Sequence, residues 1–334
     1  ETGSTMTAVA GNGYPIDTSS NACTITLPAS ASNGDQIIFT DYARNWGTNA
    51  IELDSNGLNY QGEDDTYTVE YTTDGQSVDI VYSGATNGWI PTLDEAVADV
   101  PFKGNSEGIF GYGNTGAVSS LTNLISNTGV CAADVTGVGT ARRELMATQY
   151  GGDKGIFGYG IAAAMVSMTN LVSNAGVVAT DVTGVGTTKG YGAACSYGSD
   201  KGIFRGGYNA SFAYTSLTNL ISNAGVVATD TTGVGTARAN PAGCEYGGDK
   251  GIFAYGEASG AVSMSNLVSN VGVVGTDVTG VGTARWQPGG CSYGKDKGIF
   301  AYGTQPSVQN MSNLVSNTGV VGTDVTGVGT ARAS

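Results

Sequence analysis

The sequence predicts an all-β protein in two parts, a small N-terminal β-sandwich or meander followed by a five-bladed β-propeller. After residue 100, a unit of about 47 residues occurs five times. Each unit alternates short apolar segments with glycine-containing turns, and the chain holds 54 glycines but only 13% charged residues. Self-similarity at this period indicates a repeat architecture, and this composition favours short strands over helices.

The repeat is anchored on the tripeptide Gly-Ile-Phe, which starts at Gly108, Gly155, Gly202, Gly251 and Gly298. In the fourth unit we predict strand a over 242–247, strand b over 251–256, strand c over 264–269 and strand d over 273–281. Four antiparallel strands in a unit of this length match one propeller blade. The first unit has no small-residue strand a of its own, so we expect residues 99–104 to supply it.

Residues 1–98 are predicted to form the N-terminal domain and residues 99–334 the propeller. Strands are expected over residues 23–28, 35–39, 50–53, 66–71 and 77–82, with Asn-Gly or Asp-Gly turns at 33–34, 56–57 and 74–75. Residues 1–100 carry fifteen acidic residues and one base, Arg44, whereas the remainder carries thirteen of each. This asymmetry supports a boundary near residue 100.

The net charge of −14 argues against two classes of partner, because an acidic chain repels phosphate backbones and anionic lipid headgroups. We therefore expect no nucleic-acid partner and no membrane insertion. No apolar run approaches the roughly 18 residues needed to cross a bilayer.

The chain contains no histidine and no Cys-x-x-Cys pair, which excludes serine–histidine catalytic triads and zinc sites of the usual spacing. We expect no cofactor and no metal. Cys195, Cys244 and Cys291 occupy one equivalent slot, too far apart on neighbouring blades for a disulfide, and are predicted to be small buried apolar residues.

Three polar motifs each have a functional and a structural interpretation. Gly-x-Gly runs could cradle a phosphate but better fit strand-end turns. One aspartate recurs in each unit: Asp134, Asp181, Asp230, Asp277 and Asp324. These aspartates could line a channel, or hydrogen-bond locally and pair with the repeat's Arg or Lys. The acidic run at residues 63–65 could hold calcium or form an exposed loop.

The unit resembles a kelch repeat in its order: Arg, small-residue strand, polar turn, apolar strand closing in glycine, variable loop and two more strands. In four units a Tyr-Gly pair, such as Tyr255-Gly256, stands where kelch repeats have Gly-Gly, which survives here only as Gly206-Gly207. The resemblance implies a kelch-like propeller over roughly residues 100–332.

Both parts also resemble structural proteins of tailed bacteriophages, notably marine phages. The resemblance is carried by Gly-Val-Gly-Thr-Ala-Arg and Asp-Lys-Gly-Ile-Phe-Gly-Tyr-Gly in the repeats, and by Leu27-Pro28-Ala29-Ser30 and Gly88-Trp89 in the first domain. It implies a virion location in a tail fibre or appendage, other virion proteins as partners, and no enzymatic activity. A homo-oligomer is an open alternative.

The repeats diverge mainly in the b–c and d–a loops, which should emerge on one face of each blade, whereas the opposite face is nearly invariant. A diversified face on a uniform scaffold is typical of recognition modules. We predict that five aromatic residues of these loops bind a host glycan or receptor: Tyr191, Tyr208, Phe212, Tyr214 and Trp286.

Two other functions stay open. A purely structural assembly protein would place the same aromatic residues in subunit interfaces. A glycan-degrading enzyme would need two carboxylates on the divergent face, and no pair is marked in the sequence.

Overall fold

The computed structural model describes residues 1–93 and 107–333, and all of the regular secondary structure in them is β-strand. The all-β prediction is therefore confirmed. No helix in these ranges is long and apolar enough to cross a membrane. The chain divides into two compact units, Glu1–Phe102 and Lys103–Ser334. The predicted boundary between residues 98 and 99, and the expected strand over residues 99–104, lie outside the described residues.

The first unit contains eight strands in two four-stranded sheets. The strands are β1 (Thr5–Thr7), β2 (Gly13–Ile16), β3 (Cys23–Thr26), β4 (Gln36–Asp41), β5 (Ile51–Asp54), β6 (Val69–Tyr71), β7 (Ser77–Tyr82) and β8 (Trp89–Pro91). One sheet has the order β1-β3-β5-β6 and the other β2-β4-β7-β8. Successive strands up to β5 alternate between the sheets, and β1–β3, β3–β5 and β2–β4 pair in parallel, unlike a meander.

Alternating burial explains how these two sheets share one core. Every second residue of β4 and β7 is buried, which is the period of a strand with one face inward. Trp46 and Trp89 are fully buried, and the hydroxyls of Tyr60 and Tyr71 hydrogen-bond at 2.6 Å inside the core. The sequence predicted five of the eight strands and missed β1, β2 and β8; β2 and β8 each contain a proline, which counts against a strand in a sequence.

The second unit consists of the five repeats. Its strands are β9 (Gly108–Asn114), β10 (Val118–Ile125), β11 (Met146–Tyr150), β12 (Lys154–Gly158), β13 (Thr169–Val172), β14 (Lys189–Gly190), β15 (Ala193–Tyr197), β16 (Lys201–Arg205), β17 (Tyr208–Asn209), β18 (Thr218–Ile221), β19 (Ala242–Tyr246), β20 (Lys250–Ala254), β21 (Ser265–Val268), β22 (Gly289–Tyr293), β23 (Lys297–Ala301) and β24 (Ser312–Val315). Repeats two to five each form a three-stranded antiparallel sheet of strands a, b and c. In the first repeat, β9 and β10 pair as strands b and c.

The predicted strand d is corrected. Instead of a regular strand, residues 273–281 make two isolated bridges, Val268 to Val274 and Ser265 to Val278. The amide of Asn266 donates to the Gly275 carbonyl at 3.1 Å and to Asp277 at 2.9 Å. This side chain takes the place of a continuous backbone ladder between segments c and d, and the same contacts recur in every repeat.

The first strands of neighbouring repeats lie side by side: β11 contacts β15, β15 contacts β19, and β19 contacts β22. Close packing explains the small residues of strand a. An ideal Cβ on Gly251 would lie 2.5 Å from the Sγ atom of Cys195 in the preceding repeat. Cys195 and Cys244 are buried as predicted, but Cys291 is exposed because no described repeat follows the fifth. Neither β22 nor β23 makes a substantial contact with β9 or β10, so the described residues do not form a closed ring.

Candidate functional site

In repeats two to five, the b–c loop lies beside the d–a loop that enters the same repeat. In the third repeat β14 pairs with β17, which joins Gly190 to Tyr208. Single bridges do the same in the other repeats that have a strand a, linking Arg143 to Ile161, Ala239 to Glu257 and Trp286 to Thr304. Both variable loops therefore meet at one rim of every repeat that has a strand a.

Four of the five predicted site residues come together at this rim, around Tyr208. Its ring stacks on Tyr214 with centroids 4.9 Å apart. Tyr191 meets it edge-on at 5.7 Å, and Phe212 lies 6.1 Å away at a tilted angle. Phe212 is 67% exposed, whereas the three tyrosines are partly buried. We call these four residues the aromatic rim.

A carboxylate of the next repeat anchors this cluster. The hydroxyl of Tyr208 donates to Oε2 of Glu257 at 3.2 Å. Burial, followed by the neighbouring Tyr214 and Glu257, raises the pKa of Tyr208 well above its usual value of 10. Tyr208 therefore stays protonated, and the carboxylate of Glu257 keeps acceptor capacity for a ligand hydroxyl.

A shallow cavity of about 280 Å³ opens next to the aromatic rim, with Tyr191 in its wall. Two residues of each of four d–a loops line it, and the first residue of each pair has a positive φ angle between 52° and 59°: Glu144, Tyr191, Asn240 and Gln287. Their backbones form a ladder across repeats, because each amide donates to the carbonyl of the preceding member at 2.7–3.1 Å. This backbone ladder holds the side chains of these four residues at the opening of the cavity.

The sequence did not lead us to predict the carboxylate of Glu144 or the amides of Asn240 and Gln287 as site residues. Burial raises the pKa of Glu144, and Arg143 beside it acts in the opposite direction. Asn240 and Gln287 add amide groups that both donate and accept hydrogen bonds. Each cavity residue of this kind lies four positions after the threonine of a Gly-Thr pair that ends the preceding unit. This constant spacing is the signal in the sequence that could have identified the cavity residues.

Trp286 is placed apart from the aromatic rim. It pairs with Thr304 of the fifth repeat through two backbone hydrogen bonds, at 2.9 and 3.1 Å. Within the described residues its ring has no aromatic contact with the other four predicted residues. The structure thus brings four of the five predicted residues together and places Trp286 outside this cluster.

A second cavity, of about 320 Å³, lies between the first strands of repeats two to five. Glu245 faces it, and burial raises the pKa of this carboxyl, while hydrogen bonds with Ser196 and Gln149 act to lower it. The backbone amide of Glu245 donates to the Ser292 hydroxyl at 3.0 Å. Side chains of the second and third repeats thus meet the Glu245 carboxyl group, and a fifth-repeat hydroxyl meets its backbone amide.

The remaining polar motifs have structural roles. Four of the five recurring aspartates, all but Asp134, accept hydrogen bonds from threonines of the preceding repeat, and Asp181 lies 4.0 Å from Arg142. Gly139, the last glycine of a Gly-x-Gly run, adopts a φ of 75° next to Asp181. Asp64 and Asp65 are exposed, and within the described residues no group of three acidic or cysteine side chains is placed to hold a metal ion.

No family model matches the chain, and no curated protein matches it. Solved structures do match, among them a fungal alcohol oxidase of the AA5 family in complex with copper. That match has 14% identity and a TM-score of 0.44, and it covers 68% of this chain and 64% of the oxidase. This chain therefore spans less than two thirds of that protein's length.

This comparison corrects the prediction that the chain is not an enzyme, because the matching protein is one. At this TM-score the match carries no argument for an oxidase reaction, a copper site or a substrate in this chain.

Proposed function

We propose that the chain is a structural component of a tailed-phage particle, in a tail fibre or appendage, and that its aromatic rim binds a host-surface glycan. The proposal includes kelch-like, propeller-type blades for the five repeats, which the described residues leave as an open array, with the acidic N-terminal unit serving assembly with other virion proteins. The observation that carries it is the meeting of Tyr191, Tyr208, Phe212 and Tyr214 at the one rim where the repeats diverge.

The chemistry of the rim favours a sugar over other ligands. A pyranose ring has an apolar C–H face that packs on an aromatic ring, and a hydroxyl edge that needs both donors and acceptors. The rim supplies aromatic faces, Glu257 supplies an acceptor at its edge, and Asn240 and Gln287 line the adjoining cavity with amides. A shallow cavity suits the end or side of a polysaccharide chain better than a buried small molecule.

The test is binding of the full chain to an array of bacterial surface glycans. We expect Tyr191→Ala and Tyr208→Ala each to weaken binding by roughly tenfold or more, as truncation of an aromatic anchor does. Trp286→Ala is the matched aromatic control and should leave binding unchanged. Absence of any bound glycan, or equal losses in all three variants, would refute the proposal. A glycan that is bound and then shortened would instead support the glycan-degrading alternative.

An assembly role without receptor binding is the second candidate, and the exposed ends of the repeat array favour it. Phe110 at one end is 65% exposed, although the equivalent phenylalanines are buried between repeats. Under this alternative the aromatic rim would lie in a subunit interface, and its variants would impair particle assembly while the purified chain bound no glycan.

A further inference from the structure

The contact between successive repeats is built from the same three pairs of groups at nearly every junction. The first pair is aromatic: the Phe of one repeat meets the Tyr of the preceding repeat edge-on. The centroid distances are 5.2 Å for Phe157 on Tyr112, 5.3 Å for Phe204 on Tyr159 and 5.7 Å for Phe300 on Tyr255. At the remaining junction Phe253 meets Arg205 instead.

The second pair is polar. The hydroxyl of a Thr at the end of one repeat donates to an Asp of the next repeat at 2.6–2.7 Å, and the Thr backbone amide donates to the same carboxylate. The third pair is steric. The central side chain of strand a, such as Cys195 or Cys244, covers the glycine that starts Gly-Ile-Phe in the next repeat.

One half of each pair is left exposed at the first repeat. Phe110 is 65% exposed, and Asp134 is exposed with its carboxylate bonded to Asn123 of its own repeat. Among the described residues, Ile125 of its own repeat is the one that packs against Gly108, the start of the first Gly-Ile-Phe. We call this surface the head.

The other half of each pair is left exposed at the fifth repeat. The Tyr302 ring is covered by the guanidinium of Arg332 of its own repeat, at 3.7 Å, with no aromatic partner among the described residues, and Thr330 is exposed. All five residues of β22 are exposed, Cys291 included, whereas its equivalents β15 and β19 are largely buried. We call this surface the tail.

We infer that the tail of one chain binds the head of a second copy, with Phe110 on Tyr302, Asp134 accepting from Thr330, and Cys291 over Gly108. The occupant is a second copy because the two surfaces are the separated halves of a junction that the chain already makes between its own repeats. A head-to-tail contact is heterologous, so it closes into a ring or continues as a filament, according to the rotation between copies.

Sedimentation of the full-length chain over a wide concentration range tests this inference. We expect concentration-dependent self-association, weakened roughly tenfold or more by the head variant Phe110→Asp and by the tail variant Cys291→Glu. Both positions are exposed, so folding is preserved. Val226→Asp, at an apolar position that is 66% exposed within the third repeat, is the control and should associate like the parent chain.

Mixing the two defective variants separates a head-to-tail contact from a symmetric one. Phe110→Asp retains an intact tail and Cys291→Glu an intact head, so the mixture should form a dimer and nothing larger. A parent chain that stays monomeric at every concentration, self-association that survives both variants, or a mixture that stays monomeric would each overturn the inference. Tyr302→Ala is a second tail variant that should behave as Cys291→Glu does.

Discussion

Thr236 and Asp277 join the third repeat to the fourth although they are 41 residues apart in the chain. The threonine hydroxyl donates to Oδ2 of the aspartate at 2.7 Å, and its backbone amide donates to the same oxygen at 2.9 Å. The aspartate also accepts from Asn266 of its own repeat at 2.9 Å. One carboxylate thus fixes the c–d segment of its repeat and the end of the preceding repeat.

Removing this hydroxyl should destabilise the repeat array. We expect Thr236→Val to lower the free energy of unfolding in urea by about 1 kcal/mol, because it deletes a charge-assisted hydrogen bond at a partly exposed carboxylate. Thr330→Val is the matched control, since no described repeat follows the fifth. Measured at a concentration where the chain is monomeric, equal effects of the two substitutions would contradict the assigned role.

These carboxylates also predict a pH dependence of stability. Burial acts to raise the pKa values of Asp181, Asp230, Asp277 and Asp324, but hydrogen bonds from Thr and Asn outweigh it, so each pKa lies below 3.8. A folded-state pKa below the unfolded value gives stability that is present above the unfolded pKa and lost as pH falls through the folded pKa.

We therefore expect the second unit to lose stability below about pH 4. Asp277→Asn should reduce the slope of unfolding free energy against pH in that range. Identical slopes for the parent chain and this variant would argue against linked carboxylates.

The third repeat departs from the others by replacing the usual tyrosine with glycine and placing Arg205 before it. The guanidinium of Arg205 donates to the Val234 carbonyl at 2.6 Å, the acceptor that the tyrosine hydroxyl uses in other repeats. Arg205 and Arg238 are both fully buried. Burial, then Arg205, lowers the pKa of Arg238 to about 9.

Restoring the usual pattern should remove this buried like-charge pair. We expect Arg205→Ala with Gly206→Tyr to stabilise the chain by about 1–3 kcal/mol in thermal or urea unfolding, because an imperfectly satisfied buried charge is replaced by packed aromatic surface. Gly206 already has a φ of 69°, close to the 62° of Tyr255, and the tyrosine fits once the Arg238 carbonyl oxygen, 2.9 Å from an ideal Cβ there, shifts by a few tenths of an ångström. The reverse exchange in the fourth repeat, Ala254→Arg with Tyr255→Gly, should destabilise it. Loss of stability in the first variant would contradict this account.

The five cysteines should react as two classes. Cys131 and Cys291 are exposed, whereas Cys23, Cys195 and Cys244 are buried. Burial raises the pKa of all three buried thiols, that of Cys244 to about 12. With a thiol reagent at neutral pH, dilute native chain should expose two fast-reacting thiols, and Cys291→Ser should leave one. Five equally fast thiols would refute the packing of strand a.

The sequence predicted strands a, b and c because their apolar alternation and their glycine turns are local signals. The prediction of a regular strand d was wrong because the Asn266 side chain replaces its backbone partners. Hydrophobic periodicity does not reveal a side-chain contact of this kind. The aromatic rim could be predicted because divergence between repeats is visible within one chain. The d–a cavity was not predicted, because the backbone ladder from Glu144 to Gln287 depends on how repeats stack.

The central claim is that strand a of each repeat lies against strand b of the next, which places every variable loop on one rim. A double-mutant cycle between Gly251 and Cys195 tests it most directly, because an ideal Cβ on Gly251 would lie 2.5 Å from Sγ of Cys195. Gly251→Ala should lower the free energy of unfolding in urea by about 1–3 kcal/mol through overpacking, and this loss should be smaller in a Cys195→Gly background. Gly260→Ala, at a position with open space around it, should cost little and should show no coupling to Cys195→Gly. A Gly251→Ala variant as stable as the parent chain, or equal coupling for both alanine variants, would contradict the stacking of the repeats.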